Sequence, residues 1–461
     1  MDSKNNGVRV PKRILASLLS SVSAGVVPRE GAPYIAIGRT DEIKALLSDL
    51  EAVSEGGAGM RFLVGRYGSG KSFLIQLLRG YALERGFITA DADLSPERRL
   101  YGSGGSGVAS YRELMKNLAS KASPDAGALP QILARWHTQL QSSLLEQGIA
   151  PEHPEYLTRL RAAVLEQMKK LEFFVGGFDF SRVVTAYFES FSESDELLSQ
   201  EKRSACLRWL RGEFSNKTEA KSSLGFQVST IIDDDNWYDF LKLWAALVRL
   251  MGYRGLVVFI DECVNLYKIP NRISRENNYE KILSMFNDTL QGRAPGLELI
   301  LGGTPQFLED NRRGLFSYEA LRSRLCDSRF SVADYKNLIG PVIRLRRLSD
   351  DELLALIVRV TALHEQYYQC KARISPEQME EFLAICLARA GADSMITPRE
   401  MLRDYMTVLH VLMQNEGASF EQIVGKAVTL EVGSAPGNGE QENHNAPLST
   451  KPRFTPEDLD F

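Results

Sequence analysis

Cysteine and histidine are scarce in this sequence, and their spacing excludes several classes of protein. The five histidines are scattered, and the five cysteines form no C-x-x-C pair: they are Cys206, Cys263, Cys326, Cys370 and Cys386. This pattern argues against a structural zinc site and favours reduced, buried thiols.

Long apolar runs are also missing. The first apolar stretch, residues 14–27, is interrupted by serines and by Gly25. We therefore expect neither a signal peptide nor a membrane-spanning helix, and we predict a cytoplasmic protein without a membrane partner.

Neither sign of charge dominates the chain. The 55 lysines and arginines face 59 acidic residues, which leaves a net charge of −4. Any contact with DNA must therefore come from a local basic patch or from a partner. The length of 461 residues, with 44% hydrophobic and 25% charged side chains, is ample for about two or three globular domains.

The most specific motif that is present lies at residues 65–72, which spell G-x-x-x-x-G-K-S. This is the pattern of a phosphate loop: glycines let the backbone N–H groups surround a phosphate, Lys71 reaches the β- and γ-phosphates, and the Ser72 hydroxyl ligates Mg²⁺. A short apolar strand at residues 61–64 precedes the loop and a helical pattern follows from Phe73, so the helix N-terminus faces the anion. The sequence thus predicts a nucleotide-binding site.

A second motif lies far downstream, where an apolar run at residues 255–260 ends in Asp261 and Glu262. Such a run is typical of a parallel strand buried on both faces, and ligands bind at the carboxyl ends of these strands. Asp261 is predicted to hold the Mg²⁺, usually through water, and Glu262 to polarise the attacking water. The alternative is a buried strand that ends in a solvated acidic turn, and the phosphate loop favours the functional interpretation.

These two motifs also distinguish between families of nucleotide-binding protein. A GTPase carries Asn-Lys-x-Asp to recognise guanine, and the nearest approach, at residues 216–219, ends in glutamate within a polar stretch. A small-molecule kinase has less need of Glu262, and a two-lobed helicase motor needs a second sheet, whereas the residues after about 345 have a helical pattern. ATP hydrolysis by a single core domain is the interpretation that remains.

The predicted fold class is α/β, with a phosphate-loop core around a parallel sheet, a large helical insertion and a C-terminal helical lid. An N-terminal helical extension is expected at residues 1–30, the core at 31–345 with the insertion at about 108–250, and the lid at 346–432. Further strands are predicted at 87–92, 297–304 and 342–345. In the lid, Thr397 and Pro398 suit the cap and first position of a helix, from which Arg399 would point towards the phosphates. The alternative is a surface arginine near the cap.

The last residues, 433–461, differ in composition from the rest of the chain. Residues 433–452 are rich in glycine, proline and polar side chains, which predicts a disordered tether. The segment Phe454–Phe461 combines apolar and acidic residues, as docking peptides often do, and the alternative is an inert tail.

Together these motifs resemble an AAA+ ATPase of the Orc1/Cdc6-like, helicase-loader type. The resemblance is carried by Gly38-Arg39, the phosphate loop, the Asp261-Glu262 strand end, Thr304, and the Ser-Arg-Leu and Thr-Pro-Arg segments at 323–325 and 397–399. It implies that Thr304 orients the lytic water. It also implies that Arg324, or else Arg322, reaches the γ-phosphate of a neighbouring subunit, the alternative being a salt bridge within its own helix.

Four further stretches, 209–213, 252–256, 261–267 and 313–318, are similar to the BREX-system ATP-binding proteins of the BrxD type, which act in bacterial phage defence. That resemblance covers roughly residues 8–430. It implies an ATP-dependent homo-oligomer that loads or regulates a superfamily-2 helicase on double-stranded DNA. The alternative is a slow ATP-dependent switch or scaffold that signals by exchanging partners.

The predicted site therefore consists of metal ligands, catalytic residues and nucleotide-binding residues. ATP and Mg²⁺ are the expected cofactors, with Ser72 and Asp261 as metal ligands, and Glu262, Lys71, Thr304 and Arg324 in catalytic roles. The predicted nucleotide-binding residues are Gly38, Arg39, Gly65, Tyr67, Gly68, Ser69, Gly70, Lys71, Ser72, Phe73 and Arg399.

Overall fold

A computed structural model describes residues 9–171, 173–327, 337–389 and 397–425 of the chain. The predicted tether and docking peptide, residues 433–461, lie outside the described residues. Among the described residues, no helix combines the length and the apolar character that crossing a membrane requires.

The core of the fold is a parallel sheet of five strands. In chain order these are β1 Gly59–Val64, β2 Ile88–Asp93, β3 Leu256–Asp261, β4 Leu297–Gly303 and β5 Val342–Arg344, and their spatial order is β2-β3-β4-β1-β5. All the strands expected from the sequence are confirmed, with shifts of at most two residues at their ends. Because β4 lies between β1 and β3, the carboxyl ends of the three strands meet at one edge of the sheet.

Alternate side chains of the strands face two different helical layers, as the period of an extended chain requires. On one face, Leu63, Val257 and Ile300 pack against α2 Thr40–Ser54 and α3 Lys71–Glu84. On the other face, Phe62 and Val258 share a core with α10 Trp237–Leu250 and α12 Arg272–Leu290. Burial on both faces explains the continuous apolar runs from which the strands are predicted.

The long segment between β2 and β3 is helical, as its pattern predicts. It contains α4 Ser106–Lys116, α5 Leu129–Glu146, α6 Tyr156–Met168, α7 Gly177–Glu189, α8 Glu196–Leu210 and α9 Lys217–Leu224, followed by α10. The expected apolar stripe of α10 is buried, with Trp237, Leu241, Trp244, Leu247 and Val248 each 0% exposed. The helical insertion and one face of the sheet therefore form one continuous hydrophobic core.

Two of the stretches that carry the family resemblance lie side by side beyond β3 and β4. Arg313 Nη2 donates to the carbonyl oxygens of Tyr267 and Ile269, both at 3.2 Å. The Tyr267 hydroxyl donates to the Asp310 carboxylate at 3.1 Å, and the Tyr279 hydroxyl donates to the Arg313 carbonyl at 2.5 Å. These residues therefore join the loops beyond the sheet edge, which is a structural role.

The C-terminal helices are α15 Asp350–Tyr368, α16 Pro376–Arg389 and α17 Pro398–Gln414, called the lid helices below. The N-terminal helix α1 Lys12–Ser23 packs against α15 and α17, and its Leu15, Leu18, Leu19 and Val22 belong to the core of the lid. The beginning of the chain therefore approaches the nucleotide-binding motifs from the lid side.

Candidate nucleotide-binding site

The phosphate loop connects β1 to α3, and each of its glycines has a structural reason. Gly68 and Gly70 have φ angles of +77° and +86°, in the left-handed region that side chains disfavour. A Cβ on Gly68 would lie 2.9 Å from Thr397 Cγ2, and a Cβ on Gly65 would lie 2.3 Å from Ser69 Oγ. The loop is thus packed closely on itself and on the start of α17.

Lys71, the first residue of α3, folds back over this loop. Its Nζ donates to the carbonyl oxygens of Gly65 at 2.8 Å and of Arg66 at 3.2 Å. Burial lowers the pKa of Lys71, while the nearby carboxylates of Asp261 and Glu262 raise it. An ammonium held among carbonyl groups and close to two acids is placed to exchange these contacts for phosphate oxygens.

Ser72 and Asp261 are in contact although they are 189 residues apart in the chain. The Ser72 hydroxyl donates to Asp261 Oδ2 at 2.9 Å, while Asp261 Oδ1 accepts from the backbone N–H of Glu262 at 2.8 Å. A Cβ on Gly302 would lie 2.2 Å from Asp261 Oδ1, so the neighbouring strand leaves room for this carboxylate. A hydroxyl beside a carboxylate suits Mg²⁺, which binds oxygen ligands and takes the remainder from water and phosphate.

Glu262 follows directly and has an unusual backbone. Its φ of +55° lies in the left-handed region, which is uncommon for a residue other than glycine, and its side chain lines the nucleotide cavity described below. Such strain is found where the surrounding structure holds a side chain in a particular direction.

Asp93 is a third carboxylate at this edge, which the sequence analysis missed. It ends β2 in register with Asp261 on β3. Burial raises the pKa of Asp93, and the charges of Asp261 and Glu262 raise it further. The signal in the sequence is only an acid at the end of a strand, and its significance depends on β2 pairing with β3.

Thr304 directly follows β4, the strand between β1 and β3. It caps the short helix α13 Pro305–Glu309, and its hydroxyl oxygen accepts from the Phe307 N–H at 3.3 Å. This contact uses the oxygen as an acceptor and leaves the hydroxyl proton available to a water. The role that the resemblance gives to Thr304 stays a prediction.

The last lid helix, α17, begins directly against the phosphate loop. Thr397 and Glu400 form a capping box at the start of α17, and Thr397 contacts Gly68. Arg399 is exposed, and it lines the same cavity as Tyr67 and Lys71. A helix start places its first side chains beside the surface that it meets, and the sensor role of Arg399 stays a prediction.

Arg39 connects the phosphate loop to the segment between β5 and the lid helices. Its guanidinium is buried at 3% exposure, and Nη2 donates to the Ser69 carbonyl at 2.7 Å and to the Arg346 carbonyl at 2.6 Å. Nη1 lies 3.9 Å from Glu42 Oε1, also buried. Burial lowers the pKa of Arg39, and Glu42 partly opposes this. Arg39 also lines the cavity.

Gly38 does not line the cavity, unlike its neighbours Ile37 and Arg39. Its φ is +72°, and a Cβ there would lie 2.6 Å from the carboxylate carbon of Glu352. Glu352 in turn accepts from Arg346 Nη1 at 2.7 Å and from the Ser349 N–H at 2.8 Å, at the start of α15. Gly38 and Arg39 thus contact residues of the junction between β5 and α15, namely Glu352 and Arg346.

A cavity of about 340 Å³ lies between the loop, the lid and the N-terminal segment. Its walls include Tyr67, Phe73 and a set of apolar residues that the sequence analysis did not assign: Val22, Val26, Val27, Pro28, Ile35, Ile37, Leu348, Leu356, Pro398 and Leu402. An apolar pocket beside a phosphate-binding loop suits the base of a nucleotide. These residues carry no local motif, because only the docking of α1 and the lid brings them together.

The predicted intersubunit arginines lie elsewhere. Arg322 and Arg324 belong to α14 Glu319–Leu325 and are exposed, and neither lines the cavity. Arg324 Nη1 donates to the Ala320 carbonyl at 2.7 Å, and Arg322 Nη1 lies 3.9 Å from Glu319. Their exposure is compatible with a contact in another subunit as well as with the helix-bound alternative, so the finger role stays a prediction.

The fold and the site define a class of protein. The chain has the parts of an AAA+ phosphate-loop protein. These are a parallel sheet of order β2-β3-β4-β1-β5, a phosphate loop after β1, an acidic pair at the end of β3 and a helical lid over the loop. The chain belongs to the family of BREX system ATP-binding proteins, BrxC/D, whose family model matches residues 10–428. Comparison with curated proteins gives no match. The family implies an ATP-binding role in a phage-defence system of several proteins.

Proposed function

We propose that this protein is an ATPase that assembles on DNA and loads or regulates a partner helicase. The observation that carries the proposal is the 2.9 Å contact between Ser72 Oγ and Asp261 Oδ2, beside the strained Glu262. A site that only stored a nucleotide needs the loop, whereas hydrolysis also needs a metal-binding acid and a base at the γ-phosphate.

In this proposal each side chain has a separate task. Lys71 compensates charge on the β- and γ-phosphates, and Ser72 and Asp261 hold the Mg²⁺, which supplies charge stabilisation when bound. Glu262 accepts the proton of the attacking water, and Thr304 orients that water. Arg324 acts on the site of a neighbouring subunit, which makes the active form a homo-oligomer.

The lid transmits the state of the nucleotide. Arg399 lines the cavity at the start of α17, so it is placed to respond to the γ-phosphate and to carry that response into the lid core. In this proposal residues 31–345 are the ATPase core and 346–432 the lid. The protein acts in the cytoplasm beside a superfamily-2 helicase, with double-stranded DNA as the substrate of the assembly.

A second candidate function is a slow switch that binds ATP and exchanges partners. The observation that favours it is the connection from Ser69 through Arg39 to Arg346 and the lid, which can signal nucleotide binding without rapid turnover. Stimulation of turnover separates the two candidates, since a loader responds to DNA and helicase and a switch does not.

The test is ATP turnover by the parent and by Glu262→Gln, each with and without DNA and the partner helicase. We expect Glu262→Gln to bind ATP like the parent and to hydrolyse it slower by about two orders of magnitude or more, since a general base contributes about 10²–10⁴-fold. Glu280→Gln, at an exposed position of α12, is the matched control. Parental turnover by Glu262→Gln would remove its role as base, and slow turnover unaffected by DNA and helicase would favour the switch.

A further inference from the structure

A second cleft lies at the opposite edge of the sheet from the nucleotide cavity. Its volume is about 510 Å³, and it shares no lining residue with the nucleotide cavity. Ser54 at the end of α2, residues 249–254 before β3 and Pro295 before β4 line it, so it lies at the amino ends of the strands. The other wall is Lys170, Leu171 and Phe174 of the helical insertion.

Arg249 is the central basic group of this cleft, and the backbone is shaped around it. A Cβ on Gly296 would lie 2.3 Å from Arg249 Cδ, and a Cβ on Gly56 would lie 3.2 Å from both Nη atoms. Both glycines have positive φ angles, +79° and +108°. The Arg249 guanidinium forms no hydrogen bond or ion pair with any residue that the structure describes. Its guanidinium is therefore held in position by packing, with its donors uncommitted.

Other cations surround the same cleft. The Lys170 side chain is exposed and, within the described ranges, its ammonium also forms neither a hydrogen bond nor an ion pair, although its charge acts on Glu166. The Arg254 guanidinium lies 3.5 Å from the Glu51 carboxylate, and both side chains are half exposed. Arg135 lies over the Tyr253 ring, with its Cζ 5.1 Å from the ring centroid. A chain with a net charge of −4 thus gathers four cations from three segments around one cleft.

Exposed aromatic surface adjoins these cations. Phe173, next to the lining residue Phe174, is 95% exposed, and Tyr253 presents a half-buried ring. Uncommitted guanidinium and ammonium groups bind oxyanions, and cations beside aromatic rings are the combination that holds a nucleic-acid strand. An acidic peptide would use the charges, but it has less use for an exposed ring such as that of Phe173.

We propose that this cleft binds the phosphate backbone of a nucleic-acid strand, with Arg249 and Lys170 as the phosphate-contacting residues. The inference rests on the proposed function in that DNA is the expected partner. It adds the place of contact, which lies at the amino ends of the strands, at the opposite edge of the sheet from the ATP site. DNA binding and ATP binding are measured separately, so the failure of one leaves the other standing.

The test is the fluorescence anisotropy of a labelled oligonucleotide, single-stranded and as a duplex, titrated with the full chain over a series of salt concentrations. Each lost phosphate contact lowers the slope of log K against log salt by about 0.9, which corresponds to about eightfold weaker binding at ~0.1 M salt. We expect this change for Arg249→Ala and for Lys170→Ala, with ATP affinity unchanged. Arg249→Lys keeps the positive charge but not the planar guanidinium, so its DNA affinity should lie between those of the parent and Arg249→Ala.

Lys217→Ala is the matched control, because Lys217 is an exposed cation of the insertion that does not line the cleft. Should Arg249→Ala perturb folding, Lys170→Ala still decides, since its side chain lies at the surface. Three outcomes overturn the proposal. They are parental DNA affinity and salt slope in both alanine variants, complete displacement of the DNA by millimolar inorganic phosphate, and tighter Arg249-dependent binding of a synthetic peptide of residues 454–461 than of DNA.

Discussion

Replacing Arg39 tests whether the phosphate loop is mechanically joined to the lid. Arg39→Ala removes the donor to the Ser69 carbonyl at 2.7 Å and to the Arg346 carbonyl at 2.6 Å, together with the buried cation whose Nη1 lies 3.9 Å from Glu42 Oε1. Breaking a buried charge pair by removing one partner costs about 3–5 kcal/mol of unfolding free energy. We therefore expect Arg39→Ala to be strongly destabilised.

Arg39→Lys is the more informative variant. It keeps the positive charge near Glu42, but a single ammonium on a shorter stem does not reproduce the planar fork that reaches both carbonyls. Losing one charge-assisted hydrogen bond costs about 1.5–3 kcal/mol. Since the lost contact ends on Ser69 in the phosphate loop, we expect this cost to weaken ATP binding by about tenfold to hundredfold.

The assay is direct titration of ATP, together with the rise in melting temperature that saturating ATP produces. Binding to the folded state stabilises it by RT ln(1 + [L]/Kd), so a weaker affinity appears as a smaller rise at equal ATP concentration. Arg359→Lys, an exposed arginine of α15, is the matched control. Parental affinity and an equal ATP-induced rise in Arg39→Lys would refute the proposed connection.

Three further predictions concern the lid, the assembly and pH. Gly38→Ala should lower the melting temperature, because φ at +72° costs about 1–2 kcal/mol for any other residue and the added Cβ would lie 2.6 Å from Glu352; an unchanged melting temperature would contradict this account. Arg324→Ala should bind ATP but hydrolyse it poorly, and mixing it with Lys71→Ala should restore some turnover, since one interface then combines an intact loop with an intact arginine; the absence of rescue, with turnover independent of protein concentration, would exclude the finger role. Burial, with a smaller effect of the nearby His410, lowers the pKa of His364 to about 4, so this side chain stays neutral in the folded lid. Its contribution to stability is complete above the unfolded pKa of about 6.5 and is lost as the pH falls towards 4, by about 2 kcal/mol at pH 5. Urea unfolding at pH 7 and 5 should show that loss in the parent and a smaller one in His364→Phe, and equal losses would remove His364 as its cause.

The predictions that came from the sequence alone rest on short-range chemistry. Residues 65–72 specify their own backbone, because glycine at positions 68 and 70 permits the left-handed conformation that the loop adopts. The strands are predictable because burial on both faces of a parallel sheet requires continuous apolar residues. Asp261 and Glu262 are predictable as site residues because charged side chains directly after an apolar run mark the point where a buried strand leaves the core.

What the tertiary structure alone decided is which of these local features meet. Ser72 and Asp261 are 189 residues apart in the chain, and they contact each other because β4 brings β1 and β3 to the same edge. Asp93 becomes part of the site only through the pairing of β2 with β3. Arg39 and Arg346, 307 residues apart, are joined only when the lid docks.

The apolar wall of the cavity and the basic cleft depend on the same kind of long-range packing. Val26 resembles any apolar residue of a loop until α1 packs on the lid and carries it to the mouth of the phosphate loop. Arg249 resembles any helix-terminal arginine until Gly56 and Gly296 leave the space that its side chain occupies. Residue type and spacing therefore determined the chemistry of the phosphate loop and the strand ends. The choice of partners for every other group followed from the order of the strands and the docking of the helices, because burial acts on whichever surfaces the folded chain brings together.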